Sequence, residues 1–505
     1  MVLQRLLGNS ALTMAVMVLG CMELTGCTMG PNFKTPAPPA PASFVATAAA
    51  PVASAAVDRD FDPAWWNVFN DPELSSLESR VASANLDVAS ATIRIAESRS
   101  QQSIVSSAAL PSVNADASGT AERVSKEGVF SLFGGGASSN TSGANAVSSK
   151  GISLQPFSVY QYGFDASWEL DLWGKVKRAG EAAAANTASA EDARRGALVS
   201  ALAEVARDYV SLRGVQTEIS IARQNLAVAQ QSLQLTTDRT NNGLTSQLDV
   251  EQATAALDDV QAQIPSLEDQ QSQMINRLSF LLGETPGALA PELAQAQPVP
   301  PVPPRVPVGL PSELAQRRPD IRQAAEELHA ATAEIGMAKA DFYPAISLTG
   351  SFDMQALQLQ NLGMWGARTF AAGPALSLPI FEGGKLRATL QLRQAQQQES
   401  AIAYQRVVLS AWHEIDDALS AYRAEQQRRD QLVGAADAQQ KSLDLARDRY
   451  KQGLSDFLDV LDAQRALLAT QQELAASTSN VSGDLVGLYK ALGGGWETSY
   501  PAKRS

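Results

Sequence analysis

The chain has 505 residues and a formal net charge of −13 at neutral pH, with 18% charged and 6% aromatic residues. This acidic balance argues against nucleic-acid binding, which needs a basic surface. The only cysteines, Cys21 and Cys27, lie near the N-terminus, so disulfides are not expected to stabilise the fold. The low aromatic content favours long helices with narrow packing seams over one large core.

The N-terminus has the features of an exported lipoprotein. Its apolar run over 11–19 is too short to span a bilayer as a helix, which is typical of a signal peptide. The run Leu24-Thr25-Gly26-Cys27 resembles a bacterial lipobox, in which the cysteine becomes the lipidated first residue of the mature chain. We therefore predict a signal peptide over 1–26, lipidation of Cys27 and a Pro/Ala-rich tether over 27–60. An ordinary signal peptide with an incidental cysteine is the alternative.

The clearest strand signal runs from Tyr160 to Leu172. Apolar and aromatic side chains occupy every even position, and polar or small ones occupy the odd positions. A half-buried strand of a soluble sandwich could alternate in this way, but thirteen residues with this aromatic content fit a transmembrane β-barrel strand better. On that interpretation the lumen-facing side chains include Gln161, Asp165, Ser167 and Glu169. No later segment contains 18 continuous apolar residues, so no transmembrane helix is expected.

Long helices follow the strands. Residues 175–242 contain no proline and carry apolar side chains at alternating spacings of four and three, from Leu198 to Leu233. This spacing predicts coiled-coil packing. At ~1.5 Å per residue the helix would extend roughly 100 Å. Gly243 then predicts a turn into a second helix over 245–282.

The second half of the chain repeats the first. Gly243 and Gly453 are 210 residues apart, and so are Asp249 and Asp459. We predict tandem repeats over 61–296 and 312–492, which a Pro-rich linker over 297–311 joins and a tail over 493–505 follows. The expected strands are about 112–122 and 157–172, then about 345–353 and 369–381, and the expected helices are 175–242 and 245–282, then 385–452 and 455–492.

Four strands cannot close a barrel, and open strand edges in lipid leave backbone groups unpaired. The chain must therefore share its strands with other copies. Two chains would supply eight strands and three would supply twelve, and this argument alone does not choose between them. The small and acidic side chains of the polar face favour a water-filled pore.

Several motifs together resemble a known family. They are the lipobox, Asp62-Pro63-Ala64-Trp65-Trp66, the run from Pro311 to Asp320, the segment from Gly453 to Arg465, and Ala491-Leu492-Gly493-Gly494-Gly495-Trp496-Glu497. This combination is similar to the outer-membrane efflux factors, the lipoprotein members of the TolC/OprM-like group. The resemblance implies an α+β membrane protein: a homotrimer with a twelve-stranded β-barrel, four strands per chain, continuous with a twelve-helix periplasmic α-barrel. It also implies a periplasmic adaptor and an inner-membrane RND-type pump as partners in exporting drugs or other small molecules.

The resemblance also implies a periplasmic gate at the second hairpin tip. The matching positions are Tyr450, Leu458, Asp459, Asp462 and Arg465. Asp459 and Asp462 are three residues apart and would share one helical face, so a trimer would carry a ring of carboxylates that favours cations. The alternative is that these acids only stabilise a helix N-terminus.

The first tip departs from this pattern, because Gln252 and Thr240 replace the equivalents of Asp462 and Tyr450. We therefore expect Asp249 to be a turn or capping residue and Gly243 and Gly453 to form the hairpin turns.

Nothing in the sequence predicts an enzyme or a cofactor. His329 and His413, the only histidines, are far apart, and no cluster of metal-ligating residues is expected. Two other functions remain open at this point. One is the outer-membrane duct of a type I protein secretion system, and the other is a coiled-coil structural or adaptor lipoprotein that forms no pore.

Overall fold

A computed structural model describes residues 28–36, 53–57, 62–123, 156–308 and 317–499. They divide into two compact units. We call Met1–Phe33, Gln101–Ala183 and Ala330–Gln397 the sheet unit, and Lys34–Ser100, Ala184–His329 and Gln398–Ser505 the helical unit.

The strands are β1 (Ala55–Val57), β2 (Ser112–Glu122), β3 (Phe157–Leu170), β4 (Arg305–Pro307), β5 (Ala345–Ala356) and β6 (Arg368–Ser377). The helices are α1 (Pro72–Ala84), α2 (Leu86–Ser107), α3 (Lys175–Asn241), α4 (Gln247–Leu281), α5 (Ala290–Leu293), α6 (Pro319–Ala340), α7 (Lys385–Lys451) and α8 (Phe457–Leu492). No helix among the described residues is both long enough and apolar enough to cross a membrane.

The sheet unit contains an antiparallel sheet with the strand order β2-β3-β5-β6. Its register places Phe164 of β3 opposite Phe352 of β5, and Phe352 opposite Phe370 of β6. Directly opposed residues share a face, so these rings form a row across three strands. The face that carries this row is almost entirely apolar, whereas the other face carries mainly Ser, Thr, Asn, Asp, Gln and Glu. We call them the apolar face and the polar face.

Two strands end earlier than the sequence predicted. β3 stops at Leu170 rather than 172, because the carboxylate of Asp171 accepts a hydrogen bond from the backbone N–H of Lys177 at 2.8 Å and turns the chain into α3. Gly174, with φ +74°, allows this tight connection. β6 stops at Ser377 rather than 381; Pro379, which has no N–H to donate, follows.

The long helices have the spacing that the predicted tandem repeats require. α3 and α7 contain 67 residues each, and both their first and their last residues are 210 positions apart. The predicted seam is largely buried in the helical unit, with Leu198, Val205 and Tyr209 fully covered. The repeat therefore exists in the fold as well as in the sequence.

Parts of the predicted tether and linker are packed elements of the helical unit, which corrects the expectation that both are simply extended. β1 and β4 form a parallel pair, with Ala56 opposite Val306. The backbone N–H of the preceding Ser54 donates to Gln426 Oε1 at 2.8 Å, and the Tyr422 hydroxyl donates to Ser54 Oγ at 2.7 Å. Strands of three residues are too short to show periodicity, so the sequence pattern could not reveal them.

Residues 28–32, which we call the N-terminal strap, also pack closely, within the sheet unit. Arg178 donates through Nε to the Met29 carbonyl at 3.0 Å. Gly30 has φ +93° and lies directly against the backbone of Gly336, where a Cβ on either glycine would clash. The N-terminal strap is therefore held by the close contact between Gly30 and Gly336 and by the buried Arg178.

The predicted tail begins with a docked segment. Gly493, with φ +73°, ends α8, and the Trp496 ring then lies within cation–π distance of two guanidinium groups of the helical unit. These belong to Arg195 and Arg322, at 5.1 and 5.3 Å from the ring. The Trp496 Nε1–H donates to the Arg317 carbonyl at 3.1 Å. Cation–π contacts and a hydrogen bond thus fix the C-terminal segment.

Candidate functional site: the hairpin tips and the sheet faces

Both helical hairpins turn in the same way. Gly243 has φ +69° and Gly453 has φ +75°, a conformation that favours glycine. At the first tip the N–H of Gly243 bonds to the Thr240 carbonyl and the N–H of Leu244 to the Arg239 carbonyl, both at 2.9 Å. The second tip repeats this pattern from Gly453 and its neighbour. Each long helix therefore ends in a Schellman motif.

The two tips differ in the hydrogen bonds of the aspartate that lies six residues after the turn glycine, Asp249 in the first tip and Asp459 in the second. The carboxylate of Asp249 accepts hydrogen bonds from the hydroxyls of Thr245 and Ser246. Ser246 is also the N-cap residue of α4. Asp249 therefore belongs to the local turn of the first hairpin, which it joins through two hydroxyl groups rather than through backbone N–H groups.

At the second tip the equivalent carboxylate is free. Asp459 is exposed and makes no hydrogen bond or ion pair to the residues that the structure describes. Ser455, the counterpart of Thr245, is partly buried, and its hydroxyl lacks a partner within the same described part of the chain. The charge of Asp459 is thus not neutralised by the described residues of its own chain.

Leu458, Asp462 and Arg465 share one face of α8, because they follow one another at spacings of four and three. All three side chains are exposed, and Leu458 is 51% accessible although it is apolar. Arg465 also lines a cavity of about 320 Å³ between α3, α4 and α8, with Asp259 on its wall. The fold therefore presents an apolar side chain, an acid and a base together on one exposed strip.

Tyr450 differs from the other predicted gate residues because it is buried. Its ring packs against Phe457, with the ring centroids 5.5 Å apart. The guanidinium of Arg239, from the first hairpin, lies over the ring at 4.8 Å and donates through Nη1 to the Lys451 carbonyl at 2.9 Å. Tyr450 is therefore part of the contact between the hairpins, and it does not lie on the strip with Leu458.

Three polar contacts join the first hairpin to the second, and the sequence pattern did not predict them. The contact of Arg239 is the last of the three along α3. Asn225 donates to Gln471 Oε1 at 2.9 Å, and Gln464 donates to Ser232 Oγ at 2.6 Å. Asn225, Ser232 and Arg239 are spaced by seven residues along α3. We call these three residues the tip ladder. Their heptad spacing was a usable signal, because polar residues at a repeated seam position set register in coiled coils.

The sheet places the predicted lumen residues Gln161, Asp165, Ser167 and Glu169 together on the polar face. Asp165 accepts a hydrogen bond from Asn114 Nδ2 at 3.2 Å. Asp116 and Asp353, which the sequence analysis did not identify, face each other across Gly163. A Cβ at position 163 would clash with Asp353, so the glycine is required there. The polar face is therefore more acidic than β3 alone suggested.

Cys27, the predicted lipidation site, lies outside the described residues. Among the residues that the structure describes, no group of three or more His, Cys, Asp or Glu side chains is arranged to hold a metal ion.

Comparison with known proteins agrees with this geometry. Residues 77–284 and 310–494 match the model of the outer membrane efflux protein family. The chain is similar to outer membrane protein OprJ of Pseudomonas aeruginosa, at 32% identity over 97% of this chain and 96% of that protein. It is also similar to the probable outer membrane lipoprotein SilC of Salmonella typhimurium, at 29% identity over 94% of this chain and 96% of the relative.

A solved structure extends the similarity to the fold. The outer-membrane channel OprN superposes with a TM-score of 0.82 at 32% identity, over 93% of this chain and 100% of that one. A two-faced antiparallel sheet, paired 67-residue helices and matching hairpin turns therefore occur in a chain whose relatives are outer-membrane channels. The chain belongs to the outer membrane efflux protein family and is an outer-membrane channel component of the efflux type.

Proposed function

We propose that three copies of this chain form a closed duct across the outer membrane. The single observation that carries this proposal is the four-stranded sheet: one face is apolar and exposed, and β2 and β6 are edge strands within the described chain. An unpaired strand edge in lipid costs several kcal/mol per backbone group, so the edges must pair between copies. Twelve strands enclose a lumen, whereas eight would be filled by side chains. The hydrophilic polar face then lines the pore.

The same three copies would also build a helical tube. Each chain contributes α3 and α7, together with the returning helices α4 and α8. The tip ladder joins the two hairpins of one chain, which supports a wall in which they lie side by side. A periplasmic adaptor at the tips and an inner-membrane RND-type pump would complete the system. The pump would select the substrate, because a passive duct needs no binding site of its own.

The second hairpin would form the periplasmic gate. Asp459, Asp462 and Leu458 are exposed on α8, whereas the equivalent acid of the first hairpin is bound within its own turn. Three copies of Asp459 and Asp462 would surround the axis with carboxylates, which favours cations, while Leu458 would narrow the aperture. Arg465 would pair with acids of a neighbouring copy and hold the gate shut. Tyr450 would position this face from behind through Phe457 and Arg239.

Lipidation of Cys27 would anchor the mature N-terminus in the membrane. SilC, a relative named as a probable outer membrane lipoprotein, supports this assignment. Acyl-chain labelling in cells, with Cys27→Ser as the control, would test it directly.

Single-channel conductance in planar bilayers tests the duct and its gate together. We expect wild-type trimers to give small, cation-selective conductance steps, and Asp462→Ala with Arg465→Ala to give larger ones. The matched control is Gln252→Ala, the position of the first hairpin equivalent to Asp462. Absence of any conductance from heat-resistant trimers would overturn the duct. Equal conductance of the double variant, the control and the wild type would overturn the gate alone.

A further inference from the structure

The apolar face of the sheet carries one charged side chain among the described strand residues, that of Arg368. Arg368 is the first residue of β6 and lies opposite Met354. The strand ends at Ser112, Leu170, Ala345 and Ser377 adjoin the helices of the sheet unit, whereas Arg368 follows the loop at the opposite end. In an outer-membrane barrel with periplasmic helices, this loop end faces the cell exterior.

Arg368 is supported by an aromatic ring and has no acidic partner in the described chain. Its guanidinium lies over the ring of Trp365 at 3.6 Å from the centroid. Trp365 is 77% accessible and Phe370, two residues further along β6, is 78% accessible. Nη1 makes no hydrogen bond within the described residues, and no carboxylate there lies within ion-pair distance of the side chain. Nη1 itself is covered by the chain, so the charge and the other N–H groups of the guanidinium are what remains for an external acceptor.

The depth of Arg368 in the bilayer suggests which acceptor this is. β6 has ten residues, which at ~3.3 Å each span the ~25 Å apolar band of a barrel. Its first residue therefore lies at the boundary between acyl chains and headgroups, beside an exposed tryptophan of the kind that forms interfacial girdles. Anionic phosphate is the acceptor at that depth, and arginine binds phosphate through paired N–H groups.

We propose that Arg368 and Trp365 form a binding site for the phosphate of an outer-leaflet glycolipid. The proposal rests on the trimeric barrel described above. The Trp365 ring holds the guanidinium in a fixed plane, the phosphate accepts its N–H groups, and the acyl chains lie against Phe370 and the neighbouring apolar face. A trimer would carry three such sites around its outer rim.

Native mass spectrometry of trimers purified from outer membranes tests this directly. We expect wild-type trimers to retain phosphorylated lipid A. Arg368→Gln should retain at least about tenfold less, because it removes a charge-assisted hydrogen bond to the phosphate. Arg368→Lys should retain an intermediate amount. Arg387→Gln is the matched control, because it removes an exposed arginine from the helical end of the sheet unit.

Two results would overturn the site. Equal retention of lipid A by wild type and Arg368→Gln would show that the guanidinium does not bind it, as would equal retention of lipid A after its phosphates are removed. Dissociation of Arg368→Gln trimers in lipid-free detergent would show instead that the residue bridges the seam between chains. Conductance of the same preparations keeps the duct separate, because Arg368→Gln should conduct like wild type. If wild-type trimers do not conduct, the duct fails independently of the lipid result.

Discussion

At the scale of single residues, two acids in equivalent positions have different surroundings. The carboxylate of Asp249 accepts hydrogen bonds from two hydroxyl groups of its own turn, whereas that of Asp459 is exposed. We expect Asp249→Ala to lower the stability of the first hairpin by about 0.5–1.5 kcal/mol, the typical net contribution of a hydrogen bond. Asp459→Ala should leave stability nearly unchanged and alter ion selectivity. Thermal unfolding of the two variants compares them, and equal losses of stability would contradict the distinction.

Glu78 carries a carboxyl group that is buried without a hydrogen-bond partner in the described chain. Glu78 of α1 is 1% accessible, and both its carboxylate oxygens lack hydrogen-bond partners in the described chain. Burial raises its pKa well above the ordinary value. The folded state therefore keeps this proton to higher pH than the unfolded state does, so the contribution of Glu78 to stability falls as pH rises above about 4.5.

Glu78→Met should remove this penalty. The methionine would pack beside Leu74, Leu77 and Val81, which are fully buried. We expect the variant to be more stable than wild type at pH 4 by about 1–3 kcal/mol, because the neutral carboxyl group is still a buried unpaired polar group, and by a larger margin at pH 7. Unfolding temperatures measured across this pH range check the slope. A wild-type curve that rises with pH relative to the variant would contradict the assignment.

Arg239 contacts the second hairpin tip, although the sequence did not predict this contact. Arg239→Ala removes both the hydrogen bond to the Lys451 carbonyl and the contact with the Tyr450 ring. We expect it to weaken the attachment of the second hairpin by about 1–3 kcal/mol and to increase conductance through a looser gate. The control is Arg223→Ala on the same helix, where the arginine forms an exposed ion pair with Glu268. Similar conductance changes in both variants would argue against a specific role for Arg239.

At the scale of elements, long periodic segments were predictable and short or cross-chain contacts were not. The period of two in β3 and the 210-residue offset between α3 and α7 follow from side-chain patterning alone. β1 and β4 have three residues each, so no period can show. Asp459 and Asp462 could be proposed as aperture residues by resemblance. The partner of Tyr450 could not, since Arg239 is 211 positions away in the chain and only packing brings the two together.

The N-terminal strap makes a testable prediction at this scale. Gly336→Val would place side-chain atoms where the Met29 carbonyl and Arg178 now lie. We expect the strap to be displaced at a cost of about 1–3 kcal/mol, as for overpacking of a core. Hydrogen exchange at residues 28–32 should increase as a result. Gly363→Val is the control, because no atom lies near that glycine. Unchanged hydrogen exchange in Gly336→Val would show that the strap does not depend on the close contact with Gly336.

At the scale of the whole molecule, the proposed duct requires several copies of the chain. The sheet leaves β2 and β6 with unpaired edges in the described chain, and the exposed strip of α8 carries an acid and a base with no partner within the same described residues. Both features are explained if each chain completes its neighbours, by strand pairing at the barrel and by charge pairing at the tip. The two features lie in different units, so a single assembly must satisfy both.

Disulfide cross-linking between protomers at the second tip tests the central claim most directly. The natural cysteines both lie at or before position 27, so one introduced thiol in a membrane-extracted trimer can be followed cleanly. With copper–phenanthroline as oxidant, Leu458→Cys should give a disulfide-linked dimer on non-reducing gels, because three copies meet at a narrow aperture. Leu248→Cys, the exposed equivalent in the first hairpin, should remain monomeric on the same gels. Efficient linkage at 248 and none at 458 would contradict a gate formed by the second hairpin.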